Sequence, residues 1–237
     1  MRTKWMQTAF LVVGLAALAS VTAHAQTDVS ASLYGAFSGT TTDGSVMKQS
    51  PSNAAGGLLE VRHIAKPWFG YEGTYSFNRA DQTYTATAIP VACPAPPAIC
   101  GPYSAAVSAN AHEVTGDWVA SLKIRNLRPF ALAGGGILFD VPSSGEATTT
   151  ATITGCGGGI PGCVVGTIIT SSTSTSSTTK PVFVYGGGVD WGLLPHIGLR
   201  LQYRGNLYKV PNLTTLFTST GTFTHTAEPM IGAYFRF

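Results

Sequence analysis

Charged side chains are scarce in this sequence. Asp, Glu, Lys and Arg make up 11% of its 237 residues, against roughly 25% in a soluble globular domain. The charges are also nearly balanced: without Arg2 and Lys4, which precede the first apolar segment, 12 basic and 11 acidic residues remain, a formal charge of +1. This balance argues against nucleic acid as a partner, because a surface that binds nucleic acid needs an excess of basic residues.

Long apolar runs are nearly absent as well. One run, from Ala9 to Ala19, follows two basic residues and precedes the Ala-His-Ala sequence at 23–25. This order is typical of a secretory signal peptide, and we predict that residues 1–25 are removed. A membrane-spanning helix needs roughly 18 to 20 apolar residues, a length that no later segment reaches. We therefore expect an exported chain without a helical anchor and, since its first cysteine is Cys93, without a lipid-modified N-terminus.

Cysteine is rare too, with two local pairs: Cys93 with Cys100, and Cys156 with Cys163. In an exported chain, cysteines favour disulfides over a metal site, and neither pair has the C-x-x-C spacing of a zinc or redox motif. We predict two small lobes closed by disulfides, although four cysteines permit three pairings. The sequence gives no reason to expect a metal or another cofactor.

Segments in which apolar and polar residues alternate are frequent, and this alternation predicts strands. In the clearest one, Ile197 to Leu207, an apolar row alternates with a row that contains Arg200, Gln202 and Arg204. Each segment is about long enough to cross a bilayer at a tilt. The eight predicted strands are 29–38, 57–64, 69–78, 114–125, 130–139, 182–191, 197–207 and 226–237.

The connections between these segments alternate in length. Short ones lie at 65–67, 126–128 and 193–196, and long ones at about 39–56, 80–112, 140–180 and 208–225. This pattern predicts an all-β fold, an eight-stranded antiparallel up-and-down transmembrane β-barrel that fills residues 26–237 and has long extracellular loops. The Ser/Thr-rich stretch 170–179 is predicted to be a flexible, solvated loop, with glycan attachment as an open alternative.

The chain ends in an alternating segment in which Ile231, Ala233, Phe235 and Phe237 share one face. It resembles the terminal strand of bacterial outer-membrane barrels, whose final aromatic residues, here Phe235 and Phe237, form the signal for the barrel-insertion machinery. The whole mature chain resembles the small eight-stranded barrels exemplified by the OmpA transmembrane domain, OmpX and opacity-type proteins. The resemblance implies a monomer in outer-membrane lipid. The chain departs from OmpA in stopping at its eighth strand, so we do not expect the peptidoglycan-binding domain that OmpA carries.

The alternation also predicts which charged residues face the barrel interior. Eight strands make a barrel that its own side chains can fill, so we expect these charges to pair and to plug the lumen. The ten residues of this predicted lumen network are Glu60, Arg62, Glu72, Asp117, Lys123, Arg125, Asp190, Arg200, Arg204 and Arg236. Aromatic residues near the strand ends are predicted to form interfacial girdles; they are Phe69, Phe77, Phe130, Phe183, Trp191 and Phe235.

The expected function is non-enzymatic: a structural or surface-interaction role, with loops that present a site for an unidentified extracellular ligand. A narrow small-solute channel is the main alternative. A soluble lipocalin-like barrel fits less well, because the face with runs such as Phe69 to Phe77 is too apolar for water. A lipid-modifying enzyme would need a nucleophile, a base and an acid together. His112 with Glu113, or His225 with Glu228, supplies only neighbours in sequence.

Overall fold

The computed structural model describes residues 26–43, 47–86, 99–155, 168–214, 217 and 221–237. The predicted signal peptide lies outside these residues, as do Cys93, Cys156 and Cys163, so the signal peptide and both disulfides stay predictions. Within the described part of the chain, no helix is long and apolar enough to cross a membrane.

The described residues form strands of very different lengths. The strands are β1 (Gln26–Ser38), β2 (Thr41–Asp43), β3 (Met47–Pro51), β4 (Ala54–Lys66), β5 (Phe69–Ala86), β6 (Ile99–Ser121), β7 (Leu127–Pro142), β8 (Glu146–Gly155), β9 (Ile168–Ser174), β10 (Thr178–Gly192), β11 (Ile197–Lys209) and β12 (Phe223–Arg236).

Eight of these strands close into an antiparallel barrel, in the order β1, β4, β5, β6, β7, β10, β11, β12. The barrel closes because β1 pairs with both β4 and β12, with Leu33 opposite Gly57 on one side and opposite Ile231 on the other. The predicted fold class is confirmed. We call the end with the three short turns the lower end and the opposite one the upper end.

At the upper end, the structure corrects the predicted loops. Strand β5 continues to Ala86, β6 begins at Ile99, and β8 and β9 form a further antiparallel pair beside β6. Much of the stretch predicted as a flexible loop is therefore strand, with Ser171 opposite Thr149. Hydrophobic alternation misses such strands because threonine and serine occupy both faces, yet β-branched threonine favours an extended backbone.

The lower end also differs from the prediction at one strand. The predicted strand 114–125 ends at Ser121, and the chain then turns through Arg125, whose φ of 57° lies in the left-handed region. A residue in that conformation interrupts a strand. Lys123 and Arg125 are therefore exposed at the lower rim, and their assignment to the lumen was wrong.

The two faces of the barrel wall differ in chemistry. The outer face carries exposed large apolar residues, such as Leu33, Leu59 and Leu201, whereas buried polar and charged residues fill the inner face. The predicted girdle residue Phe130 is only 6% exposed and points inward. In its segment, Pro-Phe-Ala-Leu-Ala, both rows of side chains are apolar. The alternation therefore could not predict which row faces the lumen.

Candidate functional site

Two arginines organise the lower half of the lumen. The Arg62 guanidinium lies 2.7 Å from a carboxylate oxygen of Glu72, 3.2 Å from Glu60 and 3.3 Å from Asp190. Arg200 on β11 donates to Asp190 at 2.6 Å and to Glu60. These side chains are at most 1% exposed. Four strands thus contribute to one buried network, which we call the arginine layer.

An aromatic ring completes the arginine layer. The guanidinium carbon of Arg62 lies 3.9 Å from the centroid of the Phe130 ring, and that of Arg200 lies 5.5 Å from it. Both distances are within the range of a cation–π contact. Gly188 on β10 leaves room for the ring, because a Cβ atom there would lie 2.8 Å from Phe130 Cζ. The Phe130 ring therefore packs beside both guanidinium groups of the layer.

Below this layer, further charged residues lie near the lower rim. Asp28 accepts a hydrogen bond from Arg236 at 3.1 Å, and Arg128 donates to Gln26 at 2.7 Å. The Arg236 side chain is 20% exposed, whereas that of Asp28 is fully buried. Lys123 and Arg125 are exposed, and they line a lower cavity together with Arg128 and Arg236.

Arg204 organises the upper half. Its guanidinium lies 3.1 Å from Glu113 and 4.0 Å from Asp117, and it also donates to the Thr115 hydroxyl at 3.2 Å. Asn206 donates to the second carboxylate oxygen of Glu113 at 3.0 Å. Of the ten predicted residues, the structure thus buries seven in the lumen. Arg236 is partly exposed near the lower rim, and Lys123 and Arg125 are exposed there.

Sequence reasoning missed five charged residues of the lumen. They are Asp28, Glu113, Arg128, Asp140 and Glu228, all at most 7% exposed. Four of them lie one or two residues beyond the ends of predicted strands. Glu228 lies within a predicted strand, on the same face as Arg236, so strand alternation alone could have found it.

A loop contributes buried side chains at the upper end of the lumen. We call residues 210–214 together with Phe217, between β11 and β12, the cap. The Tyr84 hydroxyl donates to the carbonyl of Pro211 at 3.1 Å and accepts from the amide of Leu213 at 3.0 Å. Leu213 and Phe217 are at most 2% exposed. Burial beneath the cap raises the pKa of the Tyr84 phenol.

The model of the outer membrane protein beta-barrel domain matches residues 9–228. The chain belongs to this family. Its fold is similar to three solved structures with low sequence identity. Ail, the attachment invasion locus protein of Yersinia pestis, was solved with the heparin analogue sucrose octasulfate; it is 14% identical, with a TM-score of 0.45 over 90% of this chain and 99% of that one.

OprG from Pseudomonas aeruginosa is 11% identical, with a TM-score of 0.44 over 90% of this chain and 95% of that one. Neisserial surface protein A is 11% identical, with a TM-score of 0.40 over 90% and 97% of the two chains. No curated protein matches the sequence. Membership of the family places the chain in the bacterial outer membrane, where the longer connections of a barrel face the cell exterior.

Two of the described histidines contact tyrosines on the outer surface of the barrel. His112 shares a hydrogen bond with the Tyr75 hydroxyl at 2.9 Å, and His225 shares one with the Tyr185 hydroxyl at 2.9 Å. The neighbouring Glu113 and Glu228 point into the lumen. The barrel wall thus separates each histidine from the carboxylate that follows it in sequence, so neither pair forms an acid–base couple.

Proposed function

We propose that this protein is a non-conducting outer-membrane barrel whose extracellular strands present a rigid surface for interaction with a partner. The observation that supports the proposal is the packing of buried side chains in the lumen at two levels, the arginine layer and the cap. The arginine layer fills the lower half, and the cap covers the upper end. A solute would have to pass both.

The arginine layer resists opening because its charges are paired and buried. Removing one partner of a buried ion pair typically costs about 3–5 kcal/mol. Arg62 and Arg200 share Glu60 and Asp190 as partners, so neither side chain can move aside without leaving carboxylates uncompensated. A conducting path would need several such pairs to separate together.

The cap resists opening for a different reason, because apolar side chains anchor it. Phe217 stacks on Tyr84 with 5.6 Å between ring centroids, and both belong to a buried apolar cluster with Val107 and Met47. Gln49 also donates to the Pro211 carbonyl at 2.9 Å. Lifting the cap would expose the cluster to water and would break these hydrogen bonds.

In this proposal, the surface that interacts with the partner is the outer face of the upper strands. Outward-facing residues of β8 and β9, such as Thr148, Thr150 and Ser172, are exposed and uncharged. Hydroxyl groups both donate and accept hydrogen bonds. Such a surface suits a neutral polar partner, for example a glycan or an extended protein segment, better than a polyanion.

Planar-bilayer recording tests the closed lumen. The mature chain, residues 26–237, is refolded, and its folded state is verified by resistance to detergent without heating. We expect no unitary steps from the wild type. As a positive control, a variant that combines R62S, F130A and R200S with replacement of residues 211–217 by a short glycine-serine linker should conduct. Reproducible steps from the wild type would contradict the proposal.

Surface display tests the interaction. Residues 143–177, which include β8 and β9, are replaced by a short turn, and the exchange of Thr150 for serine serves as the matched control. We expect cells that display the shortened protein to lose adherence to glycan- or protein-coated surfaces while the barrel still folds. Unchanged adherence would show that this part of the surface is not the site of interaction.

A further inference from the structure

We propose that the lower mouth of the lumen is a binding site for a phosphate group. The site is a cavity of about 30 Å³ beside the turn between β6 and β7, which we call the lower cavity. The charged residues in its wall are Lys123, Arg125, Arg128, Asp190 and Arg236. This inference goes beyond the proposed function and does not depend on it, because β8 and β9 lie at the opposite end of the barrel.

Arg128 supplies the buried part of the site. It is 7% exposed, and its Nη2 atom donates to the Gln26 side chain at 2.7 Å. Its other two nitrogens, Nε and Nη1, are buried and donate to no described residue. A buried charged donor without an acceptor is unfavourable. The Arg128 side chain lines the lower cavity, so an anion bound there would supply the acceptor.

The carboxylates near the lower cavity are already engaged. Asp190, in the wall of the cavity, accepts hydrogen bonds from Arg200 at 2.6 Å and from Arg62 at 3.3 Å. Asp28 accepts one from Arg236 at 3.1 Å. Among the described residues, no carboxylate oxygen lies within 4.0 Å of an Arg128 nitrogen.

The turn between β6 and β7 adds positive charge to the mouth. In the lower lumen, four carboxylates (Asp28, Glu60, Glu72 and Asp190) are matched in number by four arginines (Arg62, Arg128, Arg200 and Arg236). Lys123 and Arg125 come in addition to these, and neither has a carboxylate oxygen within 4.0 Å among the described residues. The lower cavity therefore carries an excess of two positive charges.

Hydrogen bonds hold this turn in place. Ile124 and Leu127 exchange backbone hydrogen bonds at 2.8 and 2.9 Å, and the amide of Gly192 on β10 donates to the turn at 2.8 Å. Lys123 and Arg125 thus project from a fixed backbone beside the cavity that they line. A site whose backbone is already ordered loses little conformational freedom when a ligand binds.

The size and the donors of the lower cavity favour a phosphate. A volume of about 30 Å³ accommodates about two water-sized groups at roughly 10–15 Å³ each, such as two oxygens of one phosphate. Arginine binds phosphate oxygens through its planar guanidinium group, and lysine binds them as a point charge. A phosphate also offers more acceptor oxygens than a carboxylate does. It therefore suits a site with several cationic side chains.

The position of the lower cavity indicates a phospholipid headgroup as the source of this phosphate. The end with the short turns faces the periplasm. Leu127 lines the cavity and is 43% exposed on the outer surface, where Leu122, Ile124 and Trp191 are exposed as well. Tryptophan at a strand end marks the level of the lipid headgroups. Free phosphate in the periplasm carries the same chemical group, and the experiment separates the two sources.

The test uses the refolded mature chain in micelles of octyl glucoside, a detergent without phosphate. NMR amide shifts follow titration with inorganic phosphate in one arm and with dihexanoyl phosphatidylglycerol in the other. We expect shifts at Lys123, Arg125 and Gly192, which belong to the lower cavity, and none at the cap. R128Q should bind about tenfold more weakly, because it removes hydrogen bonds between charged groups. K66Q, which removes an exposed lysine at the same end but outside the cavity, should bind like the wild type.

Tighter binding of phosphatidylglycerol would identify the lipid headgroup as the ligand, and tighter binding of inorganic phosphate would identify the free ion; both support the site. Three results would overturn the proposal: no shifts at the lower cavity in either arm, equal affinity of R128Q and the wild type, or equal losses in R128Q and K66Q. Resistance to detergent without heating checks that each variant is folded.

A second variant keeps the test decisive if R128Q does not fold. The double variant K123Q/R125N changes only exposed side chains, and asparagine tolerates the left-handed conformation at position 125. It should bind about fivefold more weakly, because exposed ion pairs contribute less than buried ones. Unchanged affinity of this folded variant would also overturn the proposal.

Discussion

The inner face of the barrel is charged within the membrane and apolar above it, although the same strands form both parts. Along β6, the inward residues change from Asp117 and Glu113 to Val107 and Ala105 without a break in the alternation. What changes is the medium outside the wall. Where lipid surrounds the wall, the outer row must be apolar and polar residues collect inside. Where water surrounds it, the inside becomes an ordinary apolar core.

The two parts should therefore respond differently to the same kind of substitution. Loss of a charge should be most harmful inside the membrane part. Introduction of a charge on the outer face should be harmful there and harmless above it. Loss of one polar contact in the upper core should act locally.

The largest effect is expected from R200A. This substitution leaves Asp190 and Glu60 without one of their partners in a fully buried place, so the free energy of unfolding should fall by about 3–5 kcal/mol. Urea unfolding in micelles, followed by tryptophan fluorescence, measures the change. K123A, at the exposed lower rim, should stay within about 0.5 kcal/mol of the wild type. A loss below 1 kcal/mol for R200A would mean that water reaches the arginine layer.

The second prediction compares the cost of placing a lysine on the outer face of the membrane part with its cost on the outer face of the upper part. Leu201 on β11 is 53% exposed toward lipid, and L201K should cost about 2–4 kcal/mol if this position is near the bilayer midplane. T150K places the same charge on the outer face of β8, where it meets water, and should have almost no effect. The same unfolding assay in lipid vesicles compares them. Equal costs would show that β8 also contacts lipid.

The smallest effect is expected from Y84F in the upper core. The amide of Leu213 loses its acceptor and the Pro211 carbonyl loses one of its donors, which should lower the free energy of local cap opening by about 1–3 kcal/mol. Because the loss is confined to the cap, we expect faster hydrogen exchange at Leu213 and unchanged urea unfolding of the barrel. Y185F, which removes an exposed tyrosine–histidine hydrogen bond on the outer surface, is the control and should leave exchange at Leu213 unchanged.

The sequence predicted the barrel because alternation and connection length are local properties of the chain. Pairing within the lumen is not local: Arg62 meets Asp190 across the barrel, 128 positions away, and only the strand register brings them together. The boundaries of the predicted strands also limited the prediction. Glu113 and Asp140 lie just outside them, and the threonine-rich strand β9 has no apolar row to recognise.

The pairing of β1 with β12 has a consequence for how this protein forms. Leu33 belongs to the first strand of the barrel and Ile231 to the last. Each of these strands keeps an unpaired edge until it pairs with the other. Contacts between such distant parts of a chain form slowly, and open strand edges invite pairing with other chains. The nascent protein must therefore be protected along its whole length until its final strand is delivered.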